Sequence, residues 1–183
     1  ADWSYGRVYA AHLSPDGASY RGETELLVSG TPLPVTDMVV NPGDGALYIV
    51  TGGWRIQSGL YRVTYAGKEA TTPLVHKPRT SDLTSLRHQL EKLHVGSNPK
   101  ALALAWPHAD HADRFVRWAA LMAVQRLPVE QWASKALKEK DHGKRANLLV
   151  SLAKASGIDP FHRKPTDPPV DSKMGRKIIN SLL

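Results

Sequence analysis

The sequence contains no cysteine. Within these residues that excludes disulfides, thiolate metal sites, a cysteine nucleophile and the covalent attachment of haem. It also lacks any run near the eighteen or so consecutive apolar residues that a membrane-spanning helix needs. No charged start followed by an apolar stretch marks a secretion signal, and the first residue is alanine; the expectation is that a signal has been removed or that the chain is cut from something longer. Basic groups are few in the first part of the chain. Residues 1–67 carry four basic and six acidic side chains, net −2, whereas residues 68–183 carry twenty and eleven, net +9. Two segments of different make are implied. What is present, 183 residues with 42 % hydrophobic content, suffices for one ordinary domain or two small modules.

Between Arg7 and Tyr65, β-formers alternate with turn residues and nothing has a helical period. The reading is five antiparallel strands: Arg7–Leu13, Thr24–Val28, Val35–Val40, Ala46–Thr51 and Gly59–Tyr65. Ser14-Pro15-Asp16-Gly17 and Asn41-Pro42-Gly43-Asp44-Gly45 supply turns, with proline preset for one corner and glycine free to take positive φ. A lone five-stranded meander leaves two open edges, a problem that propeller blades solve by stacking. The plainer alternative is a small antiparallel sheet packed on the helices behind it.

After a Thr/Pro-rich connector the period changes to 3.6. Ser81 or Asp82 caps a helix running to about His94 and ended by Gly96. Asn98-Pro99 starts a short helix through Trp106, and Asp113–Arg126, Pro128–Glu139 and Gly143–Ala155 follow, the last closed by Gly157. In Asp113–Arg126 the apolar residues, Trp118 among them, leave only a narrow polar stripe, which predicts a helix covered on most sides. Arg87, Arg117 and Arg145 open similar phrases at offsets of 30 and 28 residues, a repeat-like spacing. A Pro-rich linker and the start of another helix complete the chain.

Leu33–Val40, Asp44–Gly53 and Gln57–Tyr65 together look like the final blade of a propeller, and Asp113–Ala120 looks like the opening of a HEAT-type repeat. In that order they resemble the large membrane-bound dehydrogenases of planctomycetes and verrucomicrobia, which are similar to glucose/sorbosone dehydrogenases. The resemblance implies an α+β chain in five parts: the last blade and part of the preceding one in 1–67, a linker at 68–81, HEAT-like repeats in 82–157, a Pro-rich linker at 158–172 and a further helix from 173. It implies that the parent is a periplasmic or cell-envelope oxidoreductase of sugars or alcohols, passing electrons to a haem domain elsewhere in the parent. Haem c and pyrroloquinoline quinone are the cofactors implied for that parent, with none held by this chain. Partners implied are the remainder of the parent and a protein on the helical repeats.

Three groups of residues invite chemistry. In propellers of that kind the face holding the Gly30–Pro34 and Gly52–Gln57 loops carries the site. Gly53 permits close approach of the backbone, Trp54 offers a stacking surface and Arg55 can hold an anionic cofactor or substrate oxygen; the alternative is a turn whose tryptophan covers the sheet end. His108-Ala109-Asp110-His111-Ala112-Asp113 concentrates imidazoles and carboxylates, but its spacing suits a metal poorly and Asp113 serves better as a helix cap. The cations from Lys135 to Arg145 are interleaved with acids and carry no base-reading motif, so they read as a solvated helical face rather than a nucleic-acid surface. Asp37, the only carboxylate near the candidate loops, is expected to cap or hydrogen-bond a turn. The competing functional class is a non-catalytic propeller and helical-repeat scaffold for a protein or polysaccharide.

Overall fold

Period-two patterning in the first part of the chain and period-3.6 patterning in the second produce two compact units in the computed structural model, which describes residues 1–53, 55–70, 80–96, 98–157, 161, 164–166 and 171–182. One unit comprises Ala1–Ser14 and Tyr20–Arg79, the other Pro15–Ser19 and Thr80–Leu183. The expected linkers at 68–81 and 158–172 fall largely outside the described residues. Among the described residues the chain is α+β, with five strands in two small antiparallel sheets and six α-helices.

The first sheet is the hairpin of β1 (Arg7–Asp16) and β2 (Ser19–Ser29). Both strands run further than their alternation suggested. Pro15 lies inside β1, as an edge strand allows, and the turn tightens to Gly17-Ala18, with φ of +56° at Gly17 where a two-residue hairpin turn needs glycine. The second sheet is a meander of β3 (Val35–Val40), β4 (Leu47–Gly53) and β5 (Ile56–Val63). The turn between β3 and β4 forms at the predicted residues: Asn41 Oδ1 accepts from Gly43 N at 2.9 Å, Asp44 Oδ1 accepts from Ala46 N at 3.1 Å, and Gly45 takes φ +68°. In this register Ile49 lies between Met38 and Tyr61, while Val50 lies between Asp37 and Leu60 on the other face. The Ile49 face carries the core of this unit, Val8, Leu33, Val35 and Ile49, with Val28, Leu47 and Val63 around it.

The helical unit is better filled. Helices α1 (Asp82–Glu91), α2 (Ala101–Ala105), α3 (Arg114–Gln125), α4 (Ala133–Leu137), α5 (His142–Ser156) and α6 (Ser172–Leu182) are joined in places by single 3₁₀ turns. Ser81 caps α1 by accepting from Thr84 N, Asp113 caps α3 through Phe115 N and Val116 N, and Asp141 caps α5 through Lys144 N. Helix α3 packs on α1, α2 and α5, and α5 on α4 and α6. Its buried side is Val116, Ala119, Ala120, Ala123 and Val124, small residues that let neighbouring helices come close. Trp118 departs from expectation: it is 56 % exposed and meets His94 edge to face at 5.9 Å, so the covered side of α3 is narrower than its apolar residues predicted. Hydrogen bonds join several polar side chains to the core. Trp106 Nε1 donates to Glu139 Oε2 at 2.9 Å, Trp132 Nε1 to Leu127 O at 3.3 Å, and Gln125 Nε2 to the buried Ser151 Oγ at 2.9 Å.

Candidate functional site

The two loops singled out in the first unit do converge. Gly52 N donates to Pro34 O at 3.1 Å, which ties the end of β4 to the segment Gly30–Pro34, and Gly30 N donates to Gly6 O at 3.0 Å, which adds the N-terminal residues to the same end. A cleft of about 210 Å³ opens there among Trp3, Tyr5, Thr31, Pro32, Leu33 and Ile56. Arg55 adjoins it in the turn between β4 and β5 with φ of +65°, a left-handed conformation unusual for an arginine. Trp54 lies outside the described residues. Gly53 does permit a close approach, and the group that uses it is Trp3: a Cβ at position 53 would stand 3.1 Å from Trp3 Cζ2. Trp3 and Tyr5 precede the first strand and carry no period, so no local pattern marks them. Both are exposed, 52 % and 72 %, and Arg7 stands 5.8 Å from the centre of the Tyr5 ring.

The cleft is aromatic, proline-lined and uncharged among its described lining residues. It can stack a flat or apolar ligand face, with the Ser4 and Thr31 hydroxyls at hand for polar edges. Asp37 takes no part. It sits within β3, opposite Val50, and its Oδ1 accepts from Met38 N at 2.8 Å, so it neither caps a turn nor faces these loops. At the other end of the meander, Asp44 collects Ala46 N, Tyr48 Oη and Arg62 Nε. The backbone donor of Ala46 and then the Tyr48 and Arg62 side chains hold its carboxyl below the usual range despite the opposing effect of desolvation.

In the helical unit, the His108–Asp113 segment is a structural node. His108 and His111 rings are 6.0 Å apart, Asp110 pairs with Lys144 at 3.3 Å, and His111 Nδ1 accepts from Asp113 N at 3.0 Å. Among the described residues no group of three or more His, Asp or Glu side chains is placed to hold a metal ion. Asp113 does more than cap. Its Oδ2 accepts from Ala18 N at 2.7 Å, and Ala18, at the turn of the first hairpin, is fully buried in the helical core. Burial pushes the Asp113 carboxyl up, but the donors Ala18, Val116 and Phe115, with His111 nearby, bring it below the ordinary value. Burial, then His111 and Lys144, lowers the basicity of His108.

The cations of the second segment are partly engaged inside their own unit. Lys135 Nζ lies 4.2 Å over the Trp106 ring, Lys144 holds Asp110, and Arg145 is 3.2 Å from His142 Nδ1. Among the described residues no helix is long and apolar enough to cross a membrane. No protein-family model matches the chain, and neither a curated protein nor a solved structure matches it.

Proposed function

We propose that this chain supplies the end of a β-propeller, with the helical repeats that follow it, to a periplasmic sugar- or alcohol-oxidising dehydrogenase of the kind its sequence resembles. The observation that carries the reading is the uncovered face of the β3–β4–β5 sheet. Val39, Val50 and Leu60 are 62 %, 41 % and 68 % exposed on it, an apolar surface of the sort that a neighbouring blade covers. The helical unit adds support. Arg87, Arg117 and Arg145 lie on α1, α3 and α5, which pack in that order, and Asp113 and Asp141 each cap a helix four residues before its arginine.

The cofactors implied by the resemblance, haem c and pyrroloquinoline quinone, belong in this reading to parts of the parent outside this chain. Covalent haem needs thiols, which this sequence does not contain. A second reading, a non-catalytic propeller and repeat scaffold, is favoured by the lining of the cleft, whose described residues include no histidine or carboxylate.

The test compares two preparations, Ala1–Leu183 and the polypeptide of the complete reading frame. Each is assayed for dye reduction with a panel of sugars and alcohols, with and without pyrroloquinoline quinone and calcium, and its absorption spectrum is recorded for c-type haem. Turnover and a haem band from the complete polypeptide, with neither from the chain alone, are expected. Turnover by the isolated chain as a monomer would overturn the assignment. A complete polypeptide with no turnover and no further blades would leave the scaffold.

A further inference from the structure

The C-terminal helix presents a different surface from its buried side. Met174 and Ile178 of α6 pack on the helical core, whereas Ile179 and Leu182 are 59 % and 58 % exposed. On α6, Gly175, Ile179 and Leu182 recur at i, i+4 and i+7; on α5, Val150, Ala153 and Gly157 recur at i, i+3 and i+7, with Val150 59 % exposed. A groove of about 250 Å³ runs between the two helices, with Ala153 and Gly157 on one side and Gly175 and Ile179 on the other. Small residues along it leave room for a bulky apolar side chain from outside. Ser156 also lines the groove, and its Oγ is buried with no hydrogen-bond partner, a polar group that a ligand could satisfy.

Charge decides what kind of occupant fits. Helix α6 carries Lys173, Arg176 and Lys177 and no acid, and Lys154 is exposed on α5 beside the groove-lining Ala153. The acid of the groove, Asp171, is engaged by Lys173 N and Met174 N at 3.0 Å each. A second copy of the chain would bring like charge to like charge. The geometry points to an acidic amphipathic helix of a protein partner, laying apolar residues at i, i+3 or i+4 and i+7 into the α5–α6 groove while its Asp and Glu residues face Arg176 and Lys154, the cations that flank it. The inference stands apart from the sheet and from the dehydrogenase reading.

The probe is a fluorescein-labelled model peptide of about 18 residues, roughly five helical turns, with Leu at the apolar positions and Glu at the rest, beside a twin with Lys in place of Glu. Anisotropy titrations use the whole chain. The Glu peptide should bind at least about tenfold more tightly than the Lys twin, and Ile179→Lys or Leu182→Lys should weaken it about fivefold or more even though each adds a positive charge, a loss that simple charge attraction cannot produce. Both positions are exposed, and circular dichroism checks that helix content is kept. Arg176→Glu should weaken the same complex. No binding of the Glu peptide, or binding unchanged or strengthened by Ile179→Lys, overturns the proposal. So does either competing occupant: binding to phosphatidylserine vesicles that Ile179→Lys abolishes while the peptide does not bind, or self-association by light scattering that the same variant removes.

Discussion

At the scale of single residues, Asp113 has the most to lose. One carboxylate closes the first turn of α3 through Oδ1 and holds the Ala18 N–H through Oδ2. Asp113→Ala removes a cap, about 0.5–2 kcal/mol, and leaves a buried N–H unpaired, about 1–3 kcal/mol. The expected loss is about 2–4 kcal/mol in urea unfolding, and Asp113→Asn should recover part of it. Acid should act in two windows. His108 gains a proton less readily folded than unfolded, so as pH falls below about 6.5 the unfolded chain takes up the proton first and stability drops. Asp113 has the opposite chemistry with the same direction: its carboxylate contributes fully above the unfolded value of about 3.9, and the contribution is lost as pH falls through the lower folded value. Urea midpoints measured from pH 8 to 3 should show both declines, the upper one reduced in His108→Gln and the lower one in Asp113→Asn; unaltered profiles would contradict the assignments. The cap at Asp113 was legible, because an acid before an apolar run announces a helix start. Its second partner was not, since 95 residues separate Ala18 from Asp113 and no local pattern encodes that pair.

At the scale of elements, legibility followed the strength of the local signal. Strand β3 and its turn into β4 were readable because Asn, Gly and Asp make their own backbone bonds there. The hairpin of β1 and β2 was underestimated, since Ser14-Pro15-Asp16-Gly17 has turn composition, whereas an edge strand tolerates the proline and Gly17 alone supplies the needed φ. Helix α3 shows the reverse error: its aromatic and apolar residues predicted cover on most sides, yet contact is confined to a side built from alanine and valine. That side leaves no room for larger groups. Ala120→Leu, at a position with no exposure between closely packed helices, should cost about 1–3 kcal/mol through overpacking, while Trp118→Ala should cost less because half of that ring already meets solvent. Thermal or urea denaturation of the two variants orders them, and a larger cost at Trp118 would mean that the indole bears more packing than its exposure indicates. Of the candidate site, the glycine pair was legible as a turn and the convergence of the two loops followed from the antiparallel order of a blade; Trp3, the ring that fills the space beside Gly53, lies in a segment without period and could only be found in three dimensions.

At the scale of the whole molecule, the described residues give the sheet unit a core of four buried hydrophobic residues, against nineteen buried residues in the helical one. With so little apolar burial, the unit leaves Val39, Val50 and Leu60 on one face, and among the described residues the outer backbone edges of β3 and β5 have no strand neighbour. The isolated chain should therefore self-associate, and Leu60→Lys should shift it towards monomer in light scattering, since a lysine on an apolar sheet face opposes stacking. A monomeric parent chain at high concentration would show that the exposed face is tolerated as it stands. The buried Ala18 carries a practical consequence. Tips of β-hairpins are ordinarily where epitope tags and fluorescent reporters are spliced in, because nothing rests on them. Here the tip residue is sealed in the helical core and Gly17 has no space for even a methyl group beside Asp113. A tag placed between Gly17 and Ala18 should abolish soluble expression, whereas one at the Pro42–Gly43 corner, whose residues are exposed, should be carried without loss.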